Sequence, residues 1–134
     1  MKKNETFKVA VYGTLLAGER NAGCAHGALE RVPCVIRGSL YDTGYGFPAF
    51  EPEEDGQEVK AEVLTVDAKV LERMDGLEGY PRFYRREEVG AVLEDGTPVR
   101  AMVYVMNHLP EKATVIESGD WRGHCAALKA ARRR

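Results

Sequence analysis

Apolar and polar positions alternate along much of this chain, and that alternation predicts strands. Phe7 to Tyr12 alternates, is rich in β-favouring residues and stops at Gly13. Val35 to Tyr41 reads as a second strand. The segment from Glu58 to Val66 sets Val59, Ala61 and Val63 against polar neighbours, the mark of a half-buried strand. Tyr84 to Leu93 and Val99 to Met106 give two more, joined by Glu94-Asp95-Gly96-Thr97, whose Asp-Gly pair has hairpin-turn chemistry.

The period changes after Asp67. Val70, Leu71, Met74 and Leu77 follow the i, i+1, i+4, i+7 spacing of one helical face, with Asp67 as N-cap and Gly76 and Gly79 as the stop. A short helix is expected around Ala22 to Arg31, weakened by Gly23 and Gly27. A last one is expected over Trp121 to Ala131, capped by Asp120. Leu15 to Asn21 reads as a loop. Gly44, Gly46, Pro48 and Pro52 make the stretch from Gly44 to Pro52 mostly irregular.

Five or six strands and two or three short helices, without regular β-α-β alternation, predict an α+β fold with a mostly antiparallel, barrel-like sheet. The 134 residues suit one domain, with a core over about 7–122 and a basic tail at 132–134.

Composition narrows the function. Hydrophobic residues make up 44% and charged residues 30%, a globular balance. Lys plus Arg total 19 and Asp plus Glu 21, for a net charge of −2, so no electrostatic reason to bind nucleic acid exists. No apolar run approaches a membrane span, and Met-Lys-Lys-Asn-Glu-Thr lacks a signal-like apolar region. The 3 cysteines form no C-x-x-C pair, which fits a reduced, cytoplasmic protein.

Three segments could carry chemistry. At Tyr12-Gly13-Thr14-Leu15 a glycine at a strand end lets backbone N–H groups face a ligand, as a nest for a carboxylate or a developing oxyanion. An ordinary turn would look the same, and neither a Walker loop nor a dinucleotide fingerprint is present. In Leu77-Glu78-Gly79-Tyr80-Pro81, Glu78 stands among Leu77, Tyr80, Phe83 and Tyr84. A carboxyl walled this way loses hydration and has a raised pKa, as a general base near neutral pH requires; a solvated helix end is the alternative. Tyr84 and Arg86 share one strand face and could hold a substrate carboxylate, unless the arginine merely snorkels outward. Cys24, His26, His124 and Cys125 lack zinc-site spacing, so no metal or other cofactor is expected.

Taken together, these pieces resemble the γ-glutamylcyclotransferase-like family. The matching segments are Val11 to Leu15, Gly18 to Asn21, Gly44 to Ala49, Leu71 to Arg86, Val103 to Val105 and Ser118 to Trp121. The resemblance implies a small mixed fold around a β-barrel with a cavity at one end. It implies that Tyr12 to Leu15 bind the γ-glutamyl group through the backbone and that Glu78 is the catalytic carboxylate. It also implies a tyrosine near the site at Tyr84. The expected reaction releases 5-oxoproline from a γ-glutamyl-amine or peptide, with the small-molecule substrate as partner. A non-catalytic binding domain of the same fold and an amide hydrolase are the alternatives.

Overall fold

The computed structural model describes residues 5–132. Strand β1 covers Thr6–Val11, β2 Glu30–Asp42, β3 Pro48–Pro52, β4 Gln57–Asp67, β5 Tyr84–Leu93, β6 Pro98–Met106 and β7 Thr114–Val115. Helix α1 covers Ala68–Glu78 and α2 Trp121–Arg132. The sheet runs β3-β2-β4-β1-β6-β5, and a further β2–β5 pairing closes β2, β4, β1, β6 and β5 into a barrel. Every ladder is antiparallel except β1 with β6, where Val9 faces Met102 and Ala10 faces Val103.

Alternation along the strands sorts side chains into two cores. Ala10 of β1 and Tyr12 just beyond its end pack inside the barrel with Ile36, Val59, Val63 and Val103. Val9 and Val11 point the other way, onto a second cluster with Leu64, Val66 and the Val70, Leu71 and Met74 face of α1. The second half of β1 is thus buried on both faces, which is why Val9, Ala10 and Val11 are all apolar. No helix among the described residues is long and apolar enough to cross a membrane.

Four details differ from the sequence expectations. Residues 22–31 do not form a helix: Ala22–Ala25 makes a 3-10 turn, and the chain has joined β2 by Glu30, paired with Thr65. The stretch 44–52 is irregular only in its first half. Pro48–Pro52 is β3, its Ala49 and Phe50 buried against Tyr41 and Leu40. The two-residue β7 was not foreseen. Leu77, expected on the buried face of α1, is 40% exposed. Of the basic tail, Arg132 ends α2 and Arg133 and Arg134 lie outside the described residues.

Candidate active site

A cavity of about 160 Å³ opens at one end of the barrel, where β1 stops. Tyr12, Gly13, Thr14 and Leu15 line it, faced by Glu78 and Tyr84. The strand end is held from several sides. The Tyr12 hydroxyl donates to the Tyr104 carbonyl at 2.8 Å, and the Tyr12 ring packs on Phe50 at 5.5 Å. Asn21 returns to the same turn, its side-chain amide donating to Thr14 Oγ1 and its backbone N–H to the Thr14 carbonyl, both at 2.9 Å. Among the described residues, the N–H groups of Gly13, Thr14 and Leu15 meet no acceptor within the protein. Three successive free donors on a cavity wall attract an anion.

Gly13 is fixed by space rather than by a left-handed backbone. A Cβ there would stand 2.4 Å from Pro48 Cγ, so only glycine lets the β3 start close the wall. Gly79 is a left-handed C-cap at φ 69°, with its N–H turned back to the α1 carbonyls. A Cβ on Gly79 would meet the Phe83 ring at 2.6 Å. This cap ends α1 immediately after Glu78 and aims that side chain at the cavity. Asp67 starts the helix by accepting from the Val70 N–H at 2.9 Å.

No ion-pair partner of Glu78 occurs among the described residues. Burial pushes its carboxyl up to about 7. The negative end of the α1 dipole acts in the same direction. The Tyr12, Tyr84 and Tyr104 hydroxyls are all held above their usual range, first by burial and then, among other causes, by the charge of Glu78. Three phenols that stay neutral therefore surround one carboxyl that titrates near neutrality.

Arg86 does not line the cavity. Its guanidinium lies 4.1 Å over the Tyr80 ring and 3.8 Å from Asp75, which also accepts the Tyr104 hydroxyl at 2.7 Å. Asp75 precedes Glu78 by one helical turn, so this group braces the carboxyl end of α1 against β5 and β6. Asp75 and Tyr104 were not singled out as site residues from the sequence. The i, i+3 spacing of Asp75 and Glu78 was the signal available. Tyr80 belongs to this outer group, and Phe83 is 64% exposed, so the aromatic wall of Glu78 is made by Tyr12, Tyr84 and Tyr104 instead. Among the described residues, no group of three or more His, Cys, Asp or Glu side chains could hold a metal ion.

A barrel whose end holds a small cavity, with free backbone donors facing one carboxyl, has the layout of a small-molecule binding site. Residues 9–123 match the family model described as gamma-glutamyl cyclotransferase, AIG2-like, and the chain belongs to that family. It is 35% identical over 118 residues to a Vibrio cholerae protein named “Putative gamma-glutamylcyclotransferase”, covering 84% of this chain and 93% of the relative. A Methanocaldococcus jannaschii protein of the same name is 39% identical over 67 residues, 49% of this chain; the match spans 53% of that relative, about half its length. The fold is shared with YkqA from Bacillus subtilis, with a TM-score of 0.77 at 24% identity, over 94% of this chain and 43% of that one.

Proposed function

We propose that this chain is a γ-glutamyl cyclotransferase that releases 5-oxoproline and a free amine, with Glu78 as the proton-transfer residue. The observation that carries the reading is the pairing of Glu78, pushed up to about 7 by burial, with the free N–H groups of Gly13 to Leu15 across one cavity. The substrate carboxylate binds the N–H groups. Its α-ammonium then lies within reach of Glu78, which takes a proton and frees the nitrogen to attack the γ-carbonyl carbon. The new C–N bond closes the lactam, the old amide C–N bond breaks, and two protons pass from the attacking nitrogen to the departing amine. A carboxyl near 7 can both accept and return them. Ring closure is intramolecular, so holding the substrate folded supplies much of the rate. Tyr84, over the cavity, orients the chain of the glutamyl group; Arg86 acts at a distance, through Asp75.

No step requires a metal, and the free cysteines Cys24, Cys34 and Cys125 suit the reducing cytoplasm in which we place the reaction. Incubation with γ-glutamyl-amines should yield 5-oxoproline by mass spectrometry, with or without chelator. Release of free glutamate instead would make the chain a hydrolase.

A further inference from the structure

We infer that Arg20 binds a carboxylate on the departing amine, so that the chain favours γ-glutamyl amino acids and peptides over γ-glutamyl alkylamines. This rests on the cyclotransferase reading and names its leaving-group class.

The cavity, at about 160 Å³, is smaller than the ~300–1,000 Å³ of sites that enclose a whole drug-sized ligand. It accommodates the glutamyl half, and the departing amine must stand at the mouth. Arg20 is the cation among the cavity-lining residues, and it is exposed, which places it at that mouth. Its guanidinium is held in place without being neutralised. Nη2 donates to the Gly46 carbonyl at 3.0 Å, and a Cβ at Gly46 would stand 3.6 Å from Nη1, so the glycine lies close against the guanidinium. The acids nearby are already engaged: Glu19 with Arg122 at 3.9 Å, and Asp42 with His124 at 2.6 Å and with the Gly44 N–H at 2.8 Å. Arg20 has no ion-pair partner among the described residues. A second cation, Lys112, sits 3.9 Å over the Tyr45 ring beside the same loop. The inner anion site is made of backbone donors next to Glu78, so the outer guanidinium is free for a second anion. Arginine presents several N–H donors to a carboxylate, and one bond to Gly46 leaves the others available.

γ-Glutamyl-alanine and γ-glutamyl-ethylamine differ by that one carboxylate. The wild-type chain should show a kcat/KM about tenfold or more higher for γ-glutamyl-alanine, carried by KM, and the preference should shrink with added salt. Arg20→Gln keeps an N–H donor for Gly46 and removes the charge. It should raise KM for γ-glutamyl-alanine about tenfold more than for γ-glutamyl-ethylamine, while Arg20→Lys keeps part of the difference. Equal wild-type kcat/KM values, or an Arg20→Gln loss of the same size for both substrates, would overturn the inference while leaving the cyclotransferase reading intact. No 5-oxoproline from either substrate would defeat both. The wild-type ratio and its salt dependence decide the matter even if the variant does not fold.

Discussion

Two glutamates, Glu62 and Glu78, sit in this small barrel in opposite circumstances. Glu62, on β4, is 7% exposed and surrounded by donors: the Ala17 N–H at 2.9 Å, Arg31, and Arg122 at 3.3 Å. Burial pushes its carboxyl up, but these donors outweigh burial and hold it below the usual carboxylate range. Glu78 is half-buried where it faces the tyrosines across the cavity, it has no cation beside it, and loss of hydration is the main cause that raises it. The same side chain is locked as an anion in one place and left able to exchange a proton in the other. The difference lies in the partners, since both lose hydration but only Glu62 gains compensating donors. Glu62 ties β2, α2 and the loop after β1 together, and so builds the frame in which Glu78 works.

The strongest way to break the comparison is to remove the exchangeable proton. Glu78→Gln should lower kcat with γ-glutamyl substrates by ~10²–10⁴-fold with little change in KM, measured as 5-oxoproline release. Wild-type turnover in this variant would end the assignment. Next in size, Glu62→Ala should cost about 3 kcal/mol of stability by chemical denaturation, because Arg31 and Arg122 then lose a buried partner. It should also raise KM, since Ala17 anchors the loop whose start lines the cavity. Glu62→Gln should recover part of the stability.

The two carboxyls also predict opposite dependences on pH. The Glu78 pKa is higher folded than unfolded, so the native state holds the extra proton between about 4.5 and about 7. Stability contributed by that proton is present below the unfolded value and lost as pH rises through about 7. Glu78→Gln should therefore be more stable than wild type above pH 7, by ~2 kcal/mol, and no more stable at pH 4. The Glu62 pKa is lower folded, so its contribution is present above the unfolded value of 4.5 and lost as pH falls. Thermal melts of wild type and both variants from pH 3 to 8 separate the two slopes. In the same window, kcat/KM should rise to a plateau above about 7 as Glu78 ionises.

The strands and α1 were legible because their side-chain periods are set by which face meets the core, and that information is local. The misread segments depend on distant partners. Glu30 and Arg31 extend because Thr65 and Leu64 offer a strand edge, and Pro48 to Pro52 extend because they pair with residues 38–42. Local glycine and proline content outweighed those contacts in the sequence reading. Within the site, the placement of Glu78 at a helix end beside Gly79 was legible. The shared face of Tyr84 and Arg86 was too, but two residues along a strand is ~7 Å, enough to carry Arg86 out of the cavity and onto Asp75. The Asp75 partnership with Tyr104 spans 29 residues and leaves no trace in either segment.

That partnership gives the smallest expected effect and the sharpest test of how Glu78 is aimed. Tyr104→Phe keeps the ring that walls the cavity and deletes the hydroxyl that donates to Asp75 at 2.7 Å. The backbone carbonyl of residue 104 still accepts the Tyr12 hydroxyl, so the β1 end stays in place. Asp75 keeps Arg86 at 3.8 Å, and a part-buried hydrogen bond to a charged group is worth about 1–2 kcal/mol. Stability should fall by about that much. If the bond only supports the fold, kcat and its pH profile stay unchanged. If it holds the carboxyl end of α1 at the right distance, kcat falls by roughly fivefold while KM holds, because a misplaced base hurts proton transfer more than binding. Asp75→Asn on its own keeps an acceptor for the Tyr104 hydroxyl and weakens the pull of Arg86, so it should retain most of the kcat that Tyr104→Phe loses.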